Sequence, residues 1–128
     1  MNRQSYSTGT PWEPIVGYSR AVKIGPIISV SGTTATDESG EVVGASVYEQ
    51  TIQALKNIQR ALAALGADLG DVIRTRIYVV RIEEWEQVAK AHGEFFGTIR
   101  PATSMIGVSG FVSPKMLVEI EADAVVGE

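Results

Sequence analysis

Residues 117–126, LVEIEADAVV, alternate so regularly that they admit one reading, an extended strand with two unlike faces. Val118, Ile120, Ala122, Ala124 and Val126 fall on one face, and Leu117, Glu119, Glu121, Asp123 and Val125 on the other. The first face wants a core. The second sets three carboxylates in a row on a strand that looks central in its sheet. Such a row repels itself unless something cationic answers it.

An earlier segment supplies cations. From Asp71 to Val80, Ile73, Thr75, Ile77 and Val79 take one face, while Arg74, Arg76, Tyr78 and Val80 take the other. Two guanidiniums on one strand answer the acidic row if the two strands share a sheet face. The alternatives are a solvated face with no specific role and a structural ion-pair network inside an oligomer.

The remaining elements fall in around these two strands. Gly17 to Ile24 alternates, Gly25-Pro26 signals a turn, and Ile27 to Ser31 is short and β-branched, so the three make a hairpin. Gly32, just after it, permits either a bend or bulge or a close ligand approach. Ser46-x-x-Glu49 is a capping box, followed by the apolar stripe Tyr48, Ile52, Leu55, Ile58, Leu62 and Leu65, with Gly66 as the stop. A second helix spans Glu83 to Phe96, with Trp85, Val88, His92, Phe95 and Phe96 on one stripe and Gly97 ending it. His92 reads either as a half-buried spacer or as a ligand contact. Arg100-Pro101 leads into a strand from Thr103 to Val108. Residues 1–16 carry no period and read as an irregular arm. Trp12 in that arm is either a plug over the domain edge or a wall of a ligand pocket.

The order is therefore β-β-α-β-α-β-β, an α+β fold with both helices on one face of a mixed sheet. The other face carries Tyr18, Arg20, Arg74, Arg76, Tyr78, Glu119, Glu121 and Asp123. Buried charge of this kind is costly in a monomer core and better suited to a subunit interface or a wet cavity. An oligomer with facing sheets is the expectation.

Composition narrows the function. A chain of 128 residues forms one domain, 1–128. Its net charge of −4 is the wrong sign for a nucleic-acid partner. With no cysteine and one histidine, neither a conventional zinc site nor a Cys/His nucleophile is expected, and no other metal or cofactor is called for. No apolar run is long enough for a membrane span, and the polar start carries no secretory pattern, so a cytoplasmic location is expected.

The ordered set SVSGTT, LGADLGDVIRTRIYVV, HGEFF, RPATSM and VEIEADAVV resembles the Rid family, the YjgF type of reactive intermediate deaminase also known as endoribonuclease L-PSP. The resemblance runs from about Gly17 to Val126. It implies a chorismate-mutase-like fold and a homotrimer whose sheets close a central barrel, with ligand clefts between subunits. The activity it implies is hydrolysis of imines or enamines, and the ligand a small carbonyl, imine or carboxylate compound. Residue by residue, it makes Tyr18 a cleft wall, Gly32 a backbone donor and Glu119 the residue that positions water. The family motif Pro-Ala-Arg-Ser, whose arginine grips a substrate carboxylate, stands here as Pro101-Ala102-Thr103-Ser104. The cysteine often found two residues on is Met105, and the asparagine of the second helix has no match, the nearest positions being Ala89 and Lys90.

Thr103 divides the functional expectation. In one reading the chemistry survives with a relocated cation, for which Arg76, Arg20 and Arg100 are the candidates. In the other the trimer binds a metabolite, or stabilises proteins, without turnover. Ribonuclease activity fits poorly with an acidic chain and one histidine.

Overall fold

The structure, a computed structural model, describes residues 1–127. Its strands are β1 (Arg3–Tyr6), β2 (Ala21–Ile24), β3 (Ile27–Thr33), β4 (Val72–Val79), β5 (Ala102–Gly107) and β6 (Val118–Val125); its two long helices are α1 (Val47–Ala64) and α2 (Trp85–Phe96). They form one six-stranded sheet in the order β1-β2-β3-β6-β4-β5. Only the β4–β5 pair is parallel, as the α2 crossover between them requires. The acidic strand β6 lies between β3 and β4, well inside the sheet.

The core sits between this sheet and the helices. Val118, Ile120, Ala122 and Ala124 of β6 are almost fully buried, against Leu55, Ile58 and Leu62 of α1 and Val88 and Phe96 of α2. Ser46 caps α1 by accepting from the Glu49 amide, and Gly66 ends it in a left-handed turn at φ 82°. Tyr48 ties the two helices by donating to Glu94 at 2.7 Å. No helix among the described residues is long and apolar enough to cross a membrane.

Four details depart from the sequence reading. The arm is not irregular: Arg3–Tyr6 pairs antiparallel with β2, and Glu13–Gly17 forms one π-helical turn. Its strand, RQSY, has no apolar face, so periodicity carries no trace of it. In β4, the pairs Val72↔Ala124 and Arg74↔Asp123 leave Ile73 as the extra residue of a bulge. Ile73 is consequently 55% exposed, and Val72 takes its expected inward place. Trp85 is half-exposed where α2 begins, and Ala91 packs inward in the stripe. Finally, Gly97 ends α2 as expected but stays right-handed, so the left-handed turn falls instead at Arg100, which adopts φ 56° one residue before Pro101.

Among the described residues, no layer covers the sheet face away from the helices. This face carries the charged side chains of β4 and β6 together with Ile24, Ile27 and Val125, which neighbour one another across three strands and are each more than a third exposed.

Candidate functional site

A second bulge builds the site. Along β3, Val30 pairs with Ala122 and Thr33 with Ile120, so Ser31 and Gly32 together face one residue of β6. The bulge brings the Gly32 backbone against Glu119: a methyl group on Gly32 would lie 2.6 Å from Oε2 of that carboxylate. Gly32 is thus part of a bulge, and the close approach it permits here is that of the Glu119 side chain.

Arg20 reaches the same place from the approach to β2. Its Nη1 donates to the Gly32 carbonyl at 2.9 Å and to Oγ1 of Thr33 at 3.4 Å. Its guanidinium carbon stands 5.5 Å from the centre of the Tyr18 ring, a cation–π contact. Its Nε is buried without a hydrogen-bond partner among the described residues. Ser31 is fixed by donating to the Ser19 carbonyl at 2.6 Å.

Glu119 is half-buried and accepts no protein hydrogen bond among the described residues. Burial pushes its carboxyl above the ordinary carboxylate value; the Arg20 charge opposes the rise and the neighbouring Glu121 adds to it. A carboxylate left without donors and with raised proton affinity has the properties of a general base.

The sequence-derived candidates therefore separate into groups. Tyr18, Arg20, Gly32 and Glu119 come together. Arg76 does not join them: its Nη1 contacts Asp123 Oδ2 at 3.1 Å and Glu121 Oε1 at 3.3 Å. Tyr78 also donates to Glu121, at 3.1 Å, and Ser29 to Asp123, at 2.9 Å. The acidic row is answered by this network at two of its three members, and by Arg20 beside the third.

Thr103 and His92 form another group on the helix side of the sheet. The Thr103 hydroxyl lies 2.7 Å from that of Thr75, which in turn lies 2.9 Å from Nε2 of His92. Burial lowers the affinity of His92 for a proton, so the ring is neutral at neutral pH. Thr103 also donates to the Pro101 carbonyl at 3.1 Å. Within one chain this group cannot meet Glu119. It lies on the opposite sheet face, and β5 is two strand spacings, about 10 Å, from β6. Arg100 stands exposed at the entry to β5, without a side-chain hydrogen bond or ion pair among the described residues. Among the described residues no cluster of histidine and acidic side chains is arranged to hold a metal ion.

Sequence reasoning passed over Thr75 and Glu13. Thr75 is a hydroxyl at an inward position, a signal that was present but was absorbed into a strand. Glu13 gave none. It is buried, and accepts from Ser7 at 2.6 Å, from Thr10 Oγ1 at 2.8 Å and from Thr8 at 3.1 Å. Burial alone would raise its carboxyl, but these donated bonds outweigh it and hold the value at about 2.

Comparison with known proteins places this arrangement. The family model described as Endoribonuclease L-PSP matches residues 8–126. The human protein named 2-iminobutanoate/2-iminopropanoate deaminase is 33% identical over 127 residues, covering 98% of this chain and 91% of its own. A RutC family protein of Pyrococcus abyssi is 36% identical over 114 residues, 88% of each chain. Among solved structures, Rv2704 of Mycobacterium tuberculosis, described as a member of the YjgF/YER057c/UK114 family, superposes with a TM-score of 0.90 at 48% identity, covering 98% of this chain and 100% of that one.

Proposed function

The chain belongs to the endoribonuclease L-PSP family, which includes the YjgF, RutC and Rid proteins, and from that footing we propose that it hydrolyses a small imine or enamine at a cleft that a neighbouring copy completes. The observation that carries this reading is the state of Glu119, half-buried, without donors, raised in proton affinity and pressed against Gly32 beside Arg20. The relative named as an iminobutanoate and iminopropanoate deaminase supports the substrate class.

The chemistry needs few parts. Glu119 orients a water and takes its proton as the oxygen attacks the carbon of C=N. The same proton then passes to nitrogen to give a carbinolamine, the hydroxyl proton follows it to nitrogen as the C–N bond breaks, and a carbonyl compound and ammonia or an amine leave. Arg20 stands next to this point and is the cation best placed to hold a substrate carboxylate. The work of the motif arginine thus moves to Arg20, because Thr103 has only a hydroxyl and turns it inward. Arg76 is engaged by Glu121 and Asp123 and acts in the sheet face instead.

Assembly into a homotrimer through the open sheet face belongs to the same proposal. Ile24, Ile27 and Val125 leave an apolar patch beside an ion network on a face with no covering layer, which supports an interface there. The separation of Thr103 and His92 from Glu119 supports a cleft assembled from two chains.

One observation favours a second reading, in which the assembly binds a metabolite without turning it over. The hydroxyl of Thr103 is satisfied by Thr75 and Pro101, and no guanidinium replaces the motif arginine on β5. The deciding experiment is hydrolysis of freshly generated imines, amino-acid-derived and others, with oligomeric state measured by light scattering. Turnover by the wild type that is lost in both Glu119→Gln and Arg20→Gln supports hydrolysis at this site. Absence of turnover across the panel, with a ligand still retained, establishes the binding reading.

A further inference from the structure

Arg20 also lines a cavity whose walls do not include Glu119. It has a volume of about 460 Å³ and runs between the N-terminal arm, the loop that follows β3, and the middle of α1. Arg20 and Arg60 both line it, and neither has an ion-pair partner among the described residues. Two guanidiniums without a protein counter-charge beside an open cavity are what the carboxylate of a ligand would satisfy.

The other walls define the ligand further. Trp12 and Tyr6 offer flat apolar surface on the arm side, and Trp12 is 39% exposed. Asn57 donates to the carbonyls of Thr34 at 3.0 Å and Thr36 at 2.9 Å, which pins the loop to α1 and gives the cavity a fixed floor. Asp37 and Glu38 also line it. One oxygen of Asp37 is already taken by the amides of Ser39 and Glu41, and the remaining negative charge disfavours a polyanion.

We infer that this cavity is a binding site for a monocarboxylate with an aromatic or comparably flat apolar body. Arg20 and Arg60 receive the carboxylate, and Trp12 receives the body. Gly32 and Glu119 do not line this site, but it shares Arg20 with their cluster, so a carboxylate held here competes with one held there for the same guanidinium. The site does not rest on imine hydrolysis.

The test is a titration of the whole protein with phenylacetate, followed by NMR at the Trp12 indole N–H and the Arg20 Nε–H. Phenethylamine and citrate serve as controls for the body alone and for a polyanion. The expected result is saturable shifts at both groups with a Kd of about 1 mM or tighter. Arg60→Gln should weaken binding at least about tenfold, since it removes a charge-assisted contact from an exposed helix position without touching the core. Trp12→Ala should weaken it too, whereas Glu119→Gln should leave it intact. Shifts that gather at Tyr18 and Glu119, affinity unchanged in Arg60→Gln, equal binding of phenethylamine or citrate, or no saturable shift would each overturn the proposal.

Discussion

Oε2 of Glu119 occupies the space into which any side chain on Gly32 would grow, 2.6 Å from the position of a first carbon there. The contact links the β3 bulge to the orientation of the carboxylate, so the two are not independent features. Gly32→Ala should push Glu119 aside while leaving the core untouched. Turnover on any imine substrate found should fall at least about tenfold, with a stability loss of about 1–3 kcal/mol. Far-UV circular dichroism should not change. Activity retained in this variant would show that the carboxylate does not act from its present place.

Glu119 should cost the fold something at neutral pH. Its carboxyl is raised in the folded state, so its contribution is fully present below the unfolded value of 4.5 and is lost as pH rises through the folded value. Glu119→Gln mimics the protonated form. It should raise Tm by roughly 1–3 °C near pH 7.5, a gain discounted for the partial exposure of the group. The difference should vanish below pH 4.5. A thermal melt series across that window checks the sign, and a lower Tm at pH 7.5 would contradict it.

Arg20 and Arg76 should separate by phenotype. Arg76→Gln leaves Glu121 and Asp123 facing each other without their cation, so it should lower Tm, more at low salt than at high, while sparing turnover. Arg20→Gln should abolish turnover or raise KM at least about tenfold. Melts at two ionic strengths beside steady-state kinetics distinguish them. Loss of activity in Arg76→Gln with assembly intact would return the relocated cation to Arg76.

Glu13 should make the arm acid-sensitive. Its folded value of about 2 lies below the ordinary 4.5, so the stability it contributes is present above 4.5 and is lost as pH falls through about 2. Glu13→Gln should cost about 1–3 kcal/mol at neutral pH by weakening bonds to a charged acceptor. Amide exchange should quicken at Arg3–Tyr6 and Thr10 before it does in β6. An arm as well protected in the variant as in the wild type would refute this role.

The sheet and helices were legible because their faces differ in polarity. The α1 stripe, the β6 alternation and the capping box at Ser46 each repeat one local rule. What escaped was set by pairs of strands. Neither bulge can be read from one strand, since each exists only as a mismatch with its neighbour. The bulge at Ile73 turned an isoleucine outward that alternation had placed inside. At the site, four candidates converge as a group, but Arg76 does not, because parity specifies a face and not which carboxylate on it lies nearest. Glu13 was invisible for another reason. Its partners are short hydroxyl side chains within six positions, in a segment whose polarity suggests solvent rather than burial.

The extra residue in β4 also makes this strand unevenly tolerant of changes in length. Deleting Ile73 would leave Val72 inward and Arg74 outward as consecutive residues, so everything on either side would keep its face. Deleting any one residue from Arg74 to Val79 would turn one end of the strand over, carrying guanidinium into the core or isoleucine out of it. A lineage carrying this fold therefore has one position in β4 at which a codon can be lost without turning a face, and several at which the same loss would turn part of the strand over.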